Sequence, residues 1–189
     1  MYLLVGLGNP GKKYLHNRHN VGFMAIDAII EQYALKEESE KFKSIFYKGV
    51  IGEHKVMAIK PMTFMNDSGK SVSAFAHFFK IDYQKIIVMH DELDLPVGKV
   101  RLGIGNGAAG HNGLRSINCN IPNVYSKLRV GIGRPLEKEL VSRYVLEDFD
   151  KEQTENIQDT LKKISKLVTI LMDGNKELFS SELNKLNKN

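Results

Sequence analysis

Side chains able to catalyse hydrolysis occur in four separate stretches of the chain, each close behind a predicted strand. They are histidines accompanied by amide, carboxylate and aromatic groups: Asn9, Tyr14, His16, Asn17, His19 and Asn20; Thr63, Phe64, Met65, Asn66 and Asp67; His90, Asp91 and Glu92; and His111, Asn112 and Gly113. Because functional sites of α/β sheets collect at the carboxyl ends of the strands, we expect the four stretches to meet in one cleft.

The residue types in this predicted cleft favour attack by an activated water molecule. A histidine with a pKa of about 6.5 can take a proton from water at neutral pH, and a carboxylate on its far nitrogen stabilises the imidazolium that forms. Asparagine amides can donate to a developing oxyanion. The chain has no G-x-S-x-G or S-x-x-K motif, and Cys119 has no evident activating partner. The pattern therefore indicates hydrolysis of an acyl group without a covalent nucleophile.

Other interpretations of the same residues remain open. His16, His19 and His111 could ligate a metal ion in a metal-dependent hydrolase, although the chain has no zinc spacing such as H-E-x-x-H. Asn66 and Asn112 adjoin turn residues, where capping a helix is the ordinary role of an asparagine.

A glycine pattern in residues 6–11, GLGNPG, matches the G-x-G-x-x-G fingerprint of dinucleotide-binding turns. Such a turn needs a strand before it, a helix that begins within it, and an acid about 20 residues on at the end of a second strand. Only the strand is predicted here, since the following residues are polar and Asp27 and Glu31 fall inside a predicted helix. The pattern indicates a tight turn rather than a site for NAD.

Positive charge is concentrated in the middle of the chain. The whole chain has a net charge of +5, and residues 95–145 contain eight lysines and arginines but only two acids, Glu137 and Glu139. Such a segment is the electrostatic footprint of a polyanion partner, although a merely basic surface would have the same composition. The single cysteine and the lack of a signal peptide or an apolar run of roughly 18 residues predict a protein of the reducing cytoplasm.

Strand and helix patterns alternate along the chain. Strands are predicted at residues 2–8, 44–52, 54–60, 85–89, 99–104 and 128–132, and helices at 21–35, at 67–79, from 114, and through most of the last forty residues. Residues 9–20 are expected to form a polar loop and residues 105–113 a glycine-rich loop. The order predicts one α/β domain over residues 1–189, with a mixed sheet between helices and a mostly helical part from about residue 138.

Read together, five stretches of the chain resemble the bacterial peptidyl-tRNA hydrolase family. They are VGLGNPGKKYLHNRHNVG from Val5, KPMTFMNDSGKSV from Lys60, IIVMHDELDLPVGKVRL from Ile86, AGHNGLRSI from Ala109, and LRVGIGRP from Leu128. The resemblance implies a monomeric three-layer α/β/α sandwich with a mixed, twisted sheet and neither cofactor nor metal. It implies cleavage of the ester between a peptide and the 3′ ribose of tRNA, which releases tRNA for reuse in translation.

The resemblance also implies a role for each matching residue. His19 would be the general base, and Asp91 would orient it. The peptide and the 3′ end of the tRNA would be held by Asn9, Tyr14, Phe64, Met65, Asn66, His111 and Asn112. Lys99 and Arg129, both inside the basic segment, would bind phosphates of the tRNA.

One residue departs from the family pattern. The family usually has two glycines before His-Asn-Gly, whereas this chain has Ala109-Gly110. Alanine narrows the allowed φ, so we expect a stiffer or differently shaped loop. A non-catalytic RNA-binding protein of the same fold is the main alternative, but pure backbone binding would need neither His19 nor Asp91.

Overall fold

The computed structural model of the chain describes residues 1–105 and 107–187. Asn106, part of the predicted glycine-rich loop, and residues 188–189 of the predicted C-terminal part lie outside the described residues. The strands are β1 (Tyr2–Gly6), β2 (Lys36–Glu37), β3 (Ser44–Ile51), β4 (His54–Pro61), β5 (Ile86–Glu92), β6 (Val100–Ile104) and β7 (Ser126–Gly131). The helices are α1 (Val21–Tyr33), α2 (Ser68–Phe78), α3 (Asn112–Asn120), α4 (Val141–Tyr144), α5 (Lys151–Met172) and α6 (Lys176–Leu186).

The strands form one mixed sheet of seven strands in the described part of the chain, in the order β2-β3-β4-β1-β5-β7-β6. β4, β1, β5 and β7 run parallel to one another, and the remaining neighbours are antiparallel. The carboxyl ends of four strands therefore lie side by side at one edge of the sheet. This is the edge at which the loops with the candidate catalytic residues emerge.

Alternate residues of β1 face two different hydrophobic cores. Leu4 belongs to the core that contains residues of α1, α5 and α6, whereas Leu3 and Val5 belong to the core that contains residues of α2 and α3. This period of two is the pattern of a strand that is buried on both faces. The protein is thus an α/β/α sandwich with a mixed sheet, which confirms the predicted fold class.

Glycines allow α1 to lie directly against the carboxyl ends of β1 and β5. A Cβ atom at Gly22 would lie 2.3 Å from the carbonyl oxygen of Met89, and one at Gly6 would lie 2.3 Å from the carbonyl oxygen of Gly22. After the glycine turn the chain forms the 3-10 turn Lys12–Tyr14 rather than the helix of a dinucleotide site. The close approach places residues 18–20, which directly precede α1, beside the end of β5.

Two of the differences in length from the sequence prediction concern the candidate site. β5 continues beyond the predicted end at residue 89 because its pairing with β7 extends to Glu92 and Gly131. The polar residues 90–92 are therefore part of a strand and not of a loop. α3 begins at Asn112 rather than at residue 114 because the side chain of His111 caps it.

The C-terminal helices complete one outer layer and reach the edge of the sheet. α5 begins with a capping box formed by Asp150 and Gln153. Directly after α6, the side-chain amide of Asn187 donates to the carbonyl oxygen of Val100 and accepts from its N–H, which covers part of the edge strand β6. Within residues 1–105 and 107–187, no helix combines the length and the apolar character that crossing a membrane requires.

Candidate active site

An open cleft of about 670 Å³ lies at the carboxyl edge of the sheet. It brings together eight residues predicted for the site from all four sequence stretches: Asn9, His19, Phe64, Met65, Asn66, Asp91, His111 and Asn112. The rest of the lining includes His90 and Glu92 from the same stretches, and a wall that the sequence did not single out, which contains Arg134, Lys138, Val141, Val145 and Leu146. The sequence carries no signal for Val141, Val145 and Leu146, because they are ordinary apolar residues brought to the cleft by long-range packing.

A histidine and a buried carboxylate pair at the floor of the cleft. Nδ1 of His19 lies 2.9 Å from both carboxylate oxygens of Asp91. The side chain of His19 is 13% exposed and that of Asp91 only 3%. Because a carboxylate accepts, Nδ1 carries the proton, and Nε2 of the neutral ring holds the lone pair. His19 thus has the tautomer that a general base requires.

A second histidine donates to the same carboxylate. Nε2 of His111 lies 2.8 Å from Oδ1 of Asp91, and the backbone N–H groups of Gly113 and Leu114 donate to its Nδ1 at 3.1 and 3.3 Å. The two amides at the start of α3 therefore place the proton of His111 on Nε2. Both ring nitrogens of His111 are engaged within the protein, and because the residue also lines the cleft, its contact with substrate stays a prediction.

The contacts around the shared carboxylate shift the pKa values of Asp91 and His19. Burial acts to raise the pKa of Asp91, but the positive charges of His19 and His111, together with their hydrogen bonds, outweigh it and hold this pKa well below its ordinary range. Burial acts to lower the pKa of His19, but the charge and hydrogen bond of Asp91 outweigh it and raise this pKa. Asp91 is therefore ionised at neutral pH, and His19 is a stronger base than an isolated imidazole.

His19, Asp91 and His111 also form a group of possible metal ligands, since their ligand atoms lie within 4.8 Å of one another. Their hydrogen bonds do not fit an ion. The ring nitrogens that point at Asp91 carry protons, and turning the His111 tautomer would aim an N–H at the amides of Gly113 and Leu114. The ring nitrogens that would have to bind an ion already carry protons that donate to Asp91. We therefore assign no metal to His19, Asp91 and His111. His16, a third ligand in the metal interpretation, is exposed and does not line the cleft.

The orientation of the Asn9 amide follows from its backbone partners. The N–H of Met65 donates to Oδ1 of Asn9 at 2.9 Å. Asn20 holds the backbone of Asn9 from the other side, since its Oδ1 accepts from the N–H and its Nδ2 donates to the carbonyl oxygen. With Oδ1 engaged, Nδ2 is the donor that Asn9 presents to the cleft.

The other predicted substrate residues occupy different positions around the cleft. Phe64, which is 65% exposed, Asn66 and Asn112 lie at its rim with free surface, whereas Met65 is buried in its floor. Tyr14 does not line the cleft, contrary to the prediction. It ends the 3-10 turn Lys12–Tyr14, where its ring lies 4.7 Å from the ammonium group of Lys13.

The loop with the unusual alanine keeps a backbone conformation that suits glycine. Ala109 has a φ of 45° and Gly110 a φ of 82°, both in the left-handed region. The alanine therefore bears strain that a glycine would avoid, on the order of 1 kcal/mol. Both residues line the cleft.

The two predicted phosphate ligands lie on the β6–β7 side of the sheet and do not line the cleft. Lys99 donates to the backbone carbonyl oxygen of Asn187, and Arg129 makes an ion pair with Glu92 at 2.7 Å. The structure adds a residue that the sequence analysis did not name. Arg101 is exposed and lies directly opposite Arg129 in the antiparallel register, so the two side chains share one face of the sheet.

The cleft of this α/β/α sandwich contains a histidine held by a buried carboxylate, with amide donors beside them. This arrangement is typical of a hydrolytic enzyme. Residues 3–189 match the peptidyl-tRNA hydrolase family. The chain therefore belongs to this family, which confirms the resemblance seen in its motifs.

Individual relatives agree over nearly the whole chain. The peptidyl-tRNA hydrolase of Bartonella henselae is 46% identical over 189 residues, which cover 100% of this chain and 98% of that protein. The one from Beijerinckia indica is 46% identical over 183 residues, which cover 97% and 92%. The crystal structure of peptidyl-tRNA hydrolase from Acinetobacter baumannii is similar with a TM-score of 0.93 at 37% identity, covering 97% of this chain and 94% of that chain.

The raised pKa of His19 can be measured by NMR titration of the histidine rings. We expect a value above the ordinary one of about 6.5, because Asp91 stabilises the imidazolium. In Asp91→Asn the charge is removed while the burial remains, so the pKa of His19 should fall below the wild-type value. Asp94→Asn is the control, since it removes an exposed carboxylate three residues away. If the pKa of His19 were the same in Asp91→Asn and Asp94→Asn, the pairing of His19 with Asp91 would be contradicted.

Proposed function

We propose that this protein hydrolyses the ester bond of peptidyl-tRNA by means of a water molecule that His19 activates. The observation that carries the proposal is the hydrogen-bonded group of His19, Asp91 and His111 in the floor of the cleft. It leaves one basic ring nitrogen, Nε2 of His19, in a cleft that Asn9 also lines with its amide donor Nδ2. A water molecule and an ester carbonyl between these two groups would have the partners that hydrolysis requires.

The reaction proceeds in two proton transfers. Nε2 of His19 takes a proton from water as the water oxygen attacks the ester carbonyl carbon, and the imidazolium is stabilised by Asp91. The carbonyl oxygen becomes an oxyanion, to which Nδ2 of Asn9 donates. When the tetrahedral intermediate collapses, the bond to the ribose oxygen breaks and His19 returns its proton to that oxygen. The products are tRNA with a free 3′ hydroxyl group and a peptide with a carboxylic acid, which releases the second proton of the water to solvent and becomes a carboxylate.

The rim of the cleft suits the peptide part of the substrate. Asn66 and Asn112 are exposed amides that can pair with peptide groups, and Phe64 offers an exposed ring for an apolar side chain. Amide side chains pair well with a neutral peptide bond. An N-blocked aminoacyl group has such a bond, whereas a free aminoacyl group has a charged α-amino group in its place. We infer that these residues favour N-blocked aminoacyl groups over free aminoacyl-tRNA.

The basic side of the sheet suits the tRNA backbone. Lys99, Arg101 and Arg129 present cations near the cleft, because β7 pairs with β5, which carries Asp91. Arg129 keeps N–H groups beyond those that bind Glu92, and Arg101 adds a second guanidinium on the same face. Contacts to phosphate carry no sequence information, as a hydrolase that accepts many tRNAs requires.

We infer that the protein acts in the cytoplasm as a monomer and needs no cofactor.

Removing the general base tests the proposal directly. We expect His19→Ala to lose turnover of N-acetyl-aminoacyl-tRNA by at least 100-fold while its affinity for tRNA stays close to that of the wild type, because proton transfer and not binding is removed. Release of free tRNA and a tRNA binding isotherm are the measurements, with unblocked aminoacyl-tRNA as the substrate control. Hydrolysis close to the wild-type rate would end the assignment of His19. Binding without hydrolysis by the wild type itself would favour a non-catalytic RNA-binding protein.

The phosphate contacts are tested by separating KM from kcat. We expect Lys99→Ala, Arg101→Ala and Arg129→Ala to raise KM more than they lower kcat, with a weaker salt dependence of KM, because fewer counterions are released. Lys55→Ala is the matched control: Lys55 is exposed at the amino end of β4, away from the cleft edge. If the three variants keep the KM of Lys55→Ala at moderate salt, the phosphate role is refuted.

A further inference from the structure

One wall of the cleft is bonded to the backbone of the catalytic histidine. Residues 141–149, which we call the cleft-wall segment, run beside the loop that precedes α1. The N–H of Arg18 donates to the carbonyl oxygen of Glu147 at 3.0 Å, and the N–H of His19 donates to that of Val145 at 2.8 Å. Asn17 adds a side-chain bond to Asp148 at 2.6 Å.

Val145 contacts both the cleft and the backbone of His19. Its side chain lines the cleft, together with Val141 and Leu146 of the same segment. Its carbonyl oxygen accepts from the N–H of His19. A displacement of this wall therefore moves the backbone of His19 and, with it, the ring that must meet Asp91.

Arg18 is the side chain that fastens the cleft-wall segment. It is only 7% exposed, and its guanidinium lies 4.2 Å from the ring centroid of Tyr144 and 5.5 Å from that of Phe149. Nη1 donates to the carbonyl oxygen of Tyr144, and Nη2 donates to Oε1 of Gln153 at 3.1 Å. Arg18 thus contacts Tyr144 in the middle of the segment, Phe149 at its end and Gln153 in the first turn of α5.

These contacts depend on the shape of the guanidinium more than on its charge. The nearest carboxylate, Oε2 of Glu147, is 3.9 Å away and half exposed, and the Nε of Arg18 is buried without a partner among the described residues. A buried cation with so little anionic compensation is costly. The position of Arg18 is explained by its planar guanidinium, which stacks on two rings and donates hydrogen bonds in two directions. A lysine could not make the same contacts.

We propose that Arg18 is a positioning residue for catalysis, which holds the cleft-wall segment against the backbone of His19 and thereby sets the geometry of the His19–Asp91 pair. The inference rests on the proposed function, in which His19 is the general base. Substrate that fills the cleft presses on Val141, Val145 and Leu146, the same wall that Arg18 fastens. Arg18 therefore makes the alignment of the base depend on an intact substrate wall.

The test compares one substitution at two neighbouring sites. Arg18→Lys keeps the charge but loses the stacked, two-way guanidinium, and Arg143→Lys makes the same change on the same segment at a side chain that is 81% exposed. We expect Arg18→Lys to lower kcat by on the order of 10- to 100-fold with a smaller change of KM, since small misplacements of a catalytic group have such effects. Arg143→Lys should keep the wild-type kcat.

NMR titration of His19 supplies a readout that a purely structural role would not move. The ring contacts two titratable groups, Asp91 from β5 and His111 from the loop before α3, and Arg18 and Glu147 lie on its backbone side. In folded Arg18→Lys we expect a lower pKa of His19 than in Arg143→Lys, because looser bonds to Asp91 leave burial uncompensated. Urea unfolding identifies the folded variants, and Tyr144→Leu, which removes the stacked ring, replaces Arg18→Lys if the latter does not fold.

The outcomes separate this inference from the proposed function. If a folded Arg18 or Tyr144 variant has the same His19 pKa and kcat as Arg143→Lys while His19→Ala is inactive, the positioning role is overturned and the general base stands. If His19→Ala retains turnover, the general-base assignment fails first. A lowered kcat together with a lowered pKa of His19 in the Arg18 variant establishes the role.

Discussion

The buried carboxylate of Asp91 is the constraint on which the rest of the site depends. An ionised group with 3% of its side chain exposed must find donors inside the protein, and Asp91 finds them in two imidazoles. The same bonds fix the tautomers of His19 and His111, raise the pKa of His19 and occupy the positions that a metal ion would need. The fold supplies the remaining conditions: β5 carries Asp91 to the edge of the sheet, α1 begins directly after His19, and the amides at the start of α3 hold His111.

The site is also linked to the elements on either side of it. The next residue of β5, Glu92, pairs with Arg129 on the basic side of the sheet, and the residue before His19, Arg18, fastens the cleft-wall segment. In the proposed function, the contacts to the tRNA backbone and to the peptide would therefore lie one residue away from the two members of the His19–Asp91 pair.

Much of this could be predicted from the sequence, because local patterns carried it. Apolar periodicity predicted most of the strands and helices, and His19, Asp91 and Asn9 were recognised from their motifs. Other features depend on contacts between distant parts of the chain. The extension of β5 to Glu92 requires its partner β7, the bond from His111 to Asp91 joins residues 20 positions apart, and the bond from His19 to Val145 joins residues still farther apart in sequence. The position of Tyr14 at the end of the 3-10 turn Lys12–Tyr14, apart from the cleft lining, likewise had no signal in the sequence.

In the proposed reaction, water attacks the ester directly and Asp91 serves only as a hydrogen-bond acceptor. The decisive experiment is a single turnover with enzyme in excess, run in ¹⁸O-labelled water and analysed by mass spectrometry of the peptide product and of the fragment that contains Asp91. We expect one ¹⁸O atom in the carboxylate of the released peptide and none in Asp91. An unlabelled peptide together with ¹⁸O in Asp91 would show a covalent intermediate on this carboxylate and refute direct attack by water.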